Sequence, residues 1–563
     1  MRRPPAVLIF LSVLLLALGA TGGALMSALR PQIRQAATER IFAARETHYL
    51  SGSRDYDAEV VSEIVFTIEA GLSFFHTHGE GIGLVLLLAA TLVASLVRRR
   101  WLRAGLQWLL GVSALFPLGY LAYSVLILMV GRDRGVALAE QLLLLPAGSS
   151  AIVGLAALVG VVGLLFVSGR RARLPNVAWA PTVPTDPERS GAPGWRRPPP
   201  AVMFAAALLI ALAEIGGAAM GRFRPEIEGF AIARAQERPE LHGLAGTPDV
   251  DGEILDEVRV KVDGALRLFH LHGEGVGLMV FAGALVVATF AHSVPLRVAL
   301  YALLTVGGLG FPFGYLAWSI LIPFLGIDAA RAEATGWVLV PFGALFLVAL
   351  WVLPFVLARA LLARRRPAGA GDRGAPEAVA ADRRSLSLPP LGLVLAAVLL
   401  LVLAEVGGAV MTKLKLDLDR AHRVRIEARP LVHGLVGVRQ IDGPVMDALL
   451  ARADSALRLF HLHGEGMALV MLAGGVIVRN FVAFHLLAGL LHALLAVGGF
   501  LYPFGYLAWG LLIPTIGLQP ARDLAELFFW IPFGGAALLA MALTALVLAA
   551  ELLVAVEPRR RRW

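Results

Sequence analysis

Two imidazoles and a carboxylate recur within five residues at three places in the chain. They are His76, His78 and Glu80; His270, His272 and Glu274; and His461, His463 and Glu465. The stretches read FFHTHGEG (74–81), LFHLHGEG (268–275) and LFHLHGEG (459–466), and the second histidines lie 194 and 191 residues apart. Neutral imidazole together with carboxylate suits zinc, copper or iron, and imidazole also ligates haem. A further histidine precedes each motif, at His48, His242 and His433, so nine of the 13 histidines fall at three recurring positions. Metal or haem ligation is the leading expectation for all of these side chains. Proton or substrate handling is the second reading. A structural role is the third, because triplication copies residues whether or not they work. Cysteine is absent, which excludes thiolate ligands, disulfides and cysteine nucleophiles.

What the motif can do depends on its backbone. In a continuous helix His270 and Glu274 share a face at i, i+4 and His272 points elsewhere. If Gly273 and Gly275 bend the helix, both imidazoles converge on one ion. Two carboxylates, Glu214 and Glu405, sit inside apolar spans, where a charge is costly and marks a functional site by default. Their structural alternative is a protonated carboxyl bonding between helices; the first copy has Ala20 instead. The pairs Gly22-Gly23, Gly216-Gly217 and Gly407-Gly408, with the motif glycines, allow helices to approach closely. The first two spans of each copy are therefore expected to touch, bringing Glu214 towards the level of His270 and His272. FPLGYLAYS (116–124), FPFGYLAWS (311–319) and YPFGYLAWG (502–510) mark a third span. Their prolines bend it, and their aromatic rings line a cavity, stack on a flat ligand such as haem or quinone, or simply pack. Pro146, Pro341 and Pro532 are expected to kink the last span of each copy.

The elements that carry these residues are hydrophobic. Of 563 residues 58% are hydrophobic and 16% charged, against about 25% charged in soluble domains. Many apolar runs reach the roughly 18–20 residues that span a bilayer. The expectation is an all-α polytopic integral membrane protein with about 12 transmembrane helices as three internal repeats of four. The repeats cover 1–168, 200–363 and 389–563, joined by Arg/Pro-rich linkers at 169–199 and 364–388. ALGATGGALM (17–26) matches ALAEIGGAAM (211–220) and VLAEVGGAVM (402–411), so the first apolar run reads as a retained span and not a signal peptide. Second spans are expected to begin at the motifs, near 78, 273 and 464, each preceded by an amphipathic surface helix. Asp57, Asp251 and Asp442, each 19 residues before the first motif histidine, read as N-caps of those helices. The net charge of +9 sits in Arg clusters flanking the spans, which suits cytoplasmic loops and not nucleic acid. Both termini are then cytoplasmic and the motifs extracytoplasmic, in a cell membrane that the Ala-, Arg- and Leu-rich composition suggests is a bacterial inner membrane.

Three functions compete. The first is redox or metal handling at a His/Glu site near the extracytoplasmic face, with an electron donor or partner membrane subunits beside the lipid bilayer. Twelve spans in three groups, with histidines near spans two, six and ten, resemble the layout of the haem–copper oxidase catalytic subunit. No paired histidines mark span seven, where only His292 lies near the start, so membership of that family does not follow. The second is a proton- or metal-coupled transporter or channel, given internal repeats, proline-broken spans and buried carboxylates. The third is a non-catalytic scaffold or sensor. GxSxG, HExxH and Gly-rich phosphate-loop motifs are absent, which argues against a hydrolase or a nucleotide-driven machine. Whether the protein is an enzyme stays open.

Overall fold

Apolar runs of this length leave water as helices, because a helix satisfies its backbone N–H and C=O groups internally. The computed structural model describes residues 2–97, 99–171, 195–364 and 386–560, and among these residues it is helical without strands. Among the described residues twelve helices are long and apolar enough to cross a membrane, consistent with an all-α, multi-pass membrane protein. In chain order they are α1 (Ala6–Ala43), α2 (Arg54–Leu96), α3 (Arg100–Val130), α4 (Arg132–Leu164), α5 (Pro200–Gln236) and α6 (Pro248–Phe290). They continue as α7 (Val294–Leu325), α8 (Ile327–Ala360), α9 (Leu391–Glu427), α10 (Arg439–Phe481), α11 (His485–Ile516) and α12 (Leu518–Ala550). Most of both expected linkers, 172–194 and 365–385, lies outside the described residues, as do Arg98, Arg561 and Arg562.

The chain divides into two compact units, whose main segments are Met1–Ala349 and Ser387–Trp563. In the first, α1 packs along α2 and α5 along α6, with α3 on α2, α4 on α3 and α5, and α7 on α6. In the second, α9 packs along α10, with α11 on α10 and α12 on α11. The expected contact between first and second spans is present and depends on small residues. A Cβ on Gly273 would lie 2.7 Å from Ala213 Cβ, one on Gly464 2.7 Å from Ala404 Cβ, and one on Gly79 3.1 Å from Gly19 Cα.

The helices α2, α6 and α10 each run 43 residues without interruption. At about 1.5 Å per residue each is about 65 Å long, twice the roughly 30 Å hydrocarbon core. The amphipathic run-up and the second span are thus one rod, whose N-terminal part stands beyond the membrane-length stretch. There it buries its apolar face against the end of the preceding helix. Val61, Ile64, Val65 and Ile68 pack with Ala37 and Ile41; Val258 and Val262 with Ala231 and Ala235; Met446, Leu449 and Ala453 with Ile426. An ion pair ties each hairpin, Arg30 to Glu69 at 2.9 Å, Arg224 to Asp263 at 3.5 Å and Lys415 to Asp454 at 3.4 Å.

One open alternative closes, and one expectation needs correction. The motif glycines do not bend the helix: Gly79, Gly273 and Gly464 pack against α1, α5 and α9, and their absent side chains serve that contact instead. Nor are Asp57, Asp251 and Asp442 N-caps, positions held by Ser53, Thr247 and Val438. Each Asp lies inside the first turns and reaches back to the preceding loop. Asp251 accepts from the amides of Ala245 and Gly246 at 2.8 and 2.9 Å, and Asp442 from Val436 and Gly437 at 2.9 and 2.8 Å. Asp57 does the same for Ser51 and Gly52. The loop enters the helix through two positive-φ glycines in copies two and three, which turns those amides towards the carboxylate. Asp442→Ala strands both donors and is expected to lower the local opening free energy by about 1–3 kcal/mol, seen as faster amide exchange at Val436 and Gly437. The prolines act unevenly. α3 and α11 break next to Pro117 and Pro503, whereas α7 runs on through Pro312. Beside Pro146, Pro341 and Pro532 the helix widens into a π-type turn, at Glu140–Leu144, Thr335–Leu339 and Glu526–Gly534.

Candidate functional site

Because each motif is helical, its two histidines point in different directions, and each has a specific seat. The first histidine lies on the preceding helix. His76, His270 and His461 place Nδ1 2.9 Å from the carbonyls of Gly19, Ala213 and Ala404. A carbonyl only accepts, so Nδ1 carries a proton. The Gly-Gly pair makes the seat: a Cβ on Gly23, Gly217 or Gly408 would stand 2.6, 2.8 or 2.7 Å from the imidazole. Its partner glycine takes the ring edge of Phe75, Phe269 or Phe460, at 3.0, 2.9 and 3.1 Å. Gly408→Ala is therefore expected to tilt His461 off its carbonyl and weaken any ion held there by about 10–100-fold, the usual cost of a lost orienting contact. Metal titration of that variant checks this.

The second histidine turns to the aromatic stripe of the third span. His78, His272 and His463 donate Nδ1–H to the carbonyl four residues back, each at 2.9 Å. Their rings stack on Tyr120, Tyr315 and Tyr506 with centroids 4.8, 4.5 and 4.3 Å apart. Phe116, Phe311 and Tyr502 meet the same rings edge-on at 5.4, 5.7 and 5.7 Å. The FPxGY signature thus builds an imidazole seat. This is the packing alternative for those aromatics, with a histidine as the packed group.

The third recurring histidine serves a helix end. His242 and His433 place Nε2 3.3 and 3.2 Å from the carbonyls of Pro323 and Pro514, in the last turns of α7 and α11. Carbonyls there lack intrahelical donors, and the imidazole supplies one. Arg429 does likewise for Thr515 at 2.8 Å. Pro514 lies eight residues beyond Tyr506, about 12 Å along the helix, so His433 stands apart from the motif level. His48 is buried at the equivalent place beside Leu128, and burial holds its imidazole below the ordinary histidine value. Stability from burying it neutral is full above about pH 6.5 and is lost as pH falls through the lowered value. Amide exchange around 44–53 is expected to quicken on acidification.

One set of ligand atoms converges among the described residues: Glu405, His461 and Glu465 each offer one atom, all within 4.8 Å of one another. His461 Nδ1 lies 3.0 Å from Glu465 Oε1 on the same helix face. Glu405 comes from α9, one residue after the carbonyl that seats the imidazole. In the first copy His76 faces Glu80 at 3.6 Å, but Ala20 replaces the intramembrane carboxyl. In the second copy Glu214 is buried, and Glu274 points towards α2, where a Cβ on Gly81 would lie 2.6 Å from its Oε1. Three members of the expected site in the last copy are thus brought together, and the stacked and helix-end histidines stand outside that group. The motif does not disclose that Gly81 makes room for Glu274, nor which carbonyls seat the first histidines. The constant 57-residue offset between carbonyl and histidine was the signal that would have found the carbonyls. Comparison with known proteins returned no match to a family model, a curated protein or a solved structure.

Proposed function

We propose that this chain consists of three repeated four-helix membrane units, at 1–168, 200–363 and 389–563, and handles a divalent transition-metal ion at Glu405, His461 and Glu465. The observation that carries this reading is the convergence of one imidazole and two carboxylates within 4.8 Å. Two carboxylates beside an imidazole in apolar surroundings need a compensating positive charge, and a nitrogen–oxygen donor set suits zinc or iron. The repetition is supported by the identical histidine seats, each with a 2.9 Å carbonyl contact. Counting arginines puts both termini in the cytoplasm and the motifs near the extracytoplasmic face of a bacterial inner membrane. A small ion fits better than haem, because one face of each signature tyrosine already carries an imidazole.

Nδ1 of His461 faces Glu465 at 3.0 Å, and an ion takes up a ring nitrogen and carboxylate oxygens only in their unprotonated forms. Binding then releases protons, and affinity falls as pH is lowered. The same contact favours a second reading, a proton-coupled transporter in which imidazole and carboxylate exchange a proton. Chelator-stripped protein titrated with zinc, beside the Glu405→Gln variant, separates the two. Stoichiometric zinc lost in the variant supports the metal site. Zinc-free protein whose proton flux into liposomes stops in the variant supports the transporter.

A further inference from the structure

We propose that the first compact unit holds a second divalent-cation site, formed by Glu214, His270 and Glu274 and closed by His78 of the first motif copy. It rests on the metal reading of Glu405, His461 and Glu465, each of which lies 191 residues beyond its counterpart. The two frames agree closely. His270 and His461 both contact a carbonyl, of Ala213 or Ala404, at 2.9 Å. A Cβ on Gly273 or Gly464 would stand 2.7 Å from the Cβ of those same alanines and 3.8 Å from the Cδ1 of Leu209 or Leu400.

What differs is the last carboxylate. Glu465 lies back against His461, whereas Glu274 reaches to α2 and occupies space that only a glycine at position 81 leaves open. There the ring of His78 faces that of His270, with centroids 6.2 Å apart and planes 27° from parallel. Glu214, 9% exposed, and Glu274 each bury an Oε1 that has no hydrogen-bond partner among the described residues. Buried carboxyl oxygens without a donor are costly to desolvate, and a cation held between these helices would offset that cost. The first copy, with Ala20, builds no site of its own. It supplies the gap at Gly81 and the ring of His78 to its neighbour instead. The chain therefore carries two ions, and the triplicated motif does not give three.

The test is zinc stoichiometry by elemental analysis on the detergent-purified full chain, stripped with chelator and reloaded. Two equivalents are expected in the wild type, one in Glu214→Gln, one in Glu405→Gln and none in the double variant. His78→Phe keeps a ring on Tyr120 and is expected to weaken only the ion lost in Glu214→Gln, by about 10–100-fold. One wild-type equivalent, removed by Glu405→Gln and kept by Glu214→Gln, overturns the second site and leaves the first standing. No zinc in the wild type defeats both. Three equivalents, or two that survive Glu214→Gln, contradict the inference, and unchanged affinity in His78→Phe removes the first copy from the site.

Discussion

Changing His461 to Ala is expected to abolish zinc binding at Glu405 and Glu465, an affinity loss on the order of 100-fold or more. Orienting contacts alone are worth about 10–100-fold, and here the ligand itself is removed. The two carboxylates stay within reach of each other but lose the nitrogen donor and the only imidazole in the group. The change leaves the helix contact intact, because the seat formed by Gly408 is vacated and not overfilled. His463→Phe is the matched control. That ring stacks on Tyr506 at 4.3 Å and lies outside the converging set, so a replacement ring keeps the stack and the ion. Isothermal titration of both variants checks the pair. Equal losses in the two would mean that the motif acts as a packing unit only.

Gly464→Val carries the second large effect. A Cβ there stands 2.7 Å from Ala404 Cβ, on the α9 turn that presents both Glu405 and the carbonyl for His461. The added branches have no room, and α9 must move away from α10. Overpacking of this kind costs about 1–3 kcal/mol, and the displacement also parts Glu405 from His461 and Glu465. Lower thermal stability in detergent together with loss of zinc is expected. Gly535→Ala, at a position with nothing within 4 Å, should change neither.

The long helices and their apolar faces were legible because burial imposes a period on the sequence. The run-up to each motif showed its helical stripe, and that stripe is what packs at Val258 and Val262. The spacing of the Gly-Gly pairs likewise announced helix contact. What spacing alone left undecided was direction. HxHGEG reads as two converging imidazoles or two diverging ones, and the outcome turns on whether its glycines bend the chain. They do not, because Gly79, Gly273 and Gly464 are pressed against a neighbouring helix, so one imidazole lies on the Gly-Gly seat and the other on a tyrosine. Asp251 was misplaced for a related reason. A carboxylate serves loop amides equally well from the helix's first turns as from its cap, and only the position of the loop decides. The different settings of Glu274 and Glu465 were beyond reach of the sequence, since Ala265–Gly275 and Ala456–Gly466 are identical. The local chain is the same; the neighbouring helix is not.

The most direct test of the central claim is X-ray absorption at the zinc edge on the loaded Glu214→Gln protein, which isolates the Glu405, His461 and Glu465 ion. One imidazole with oxygen ligands, the signal vanishing when His461→Ala is added, is the expected result. Zinc that stays bound in that double variant, or a shell with two or more imidazoles, would contradict the assignment.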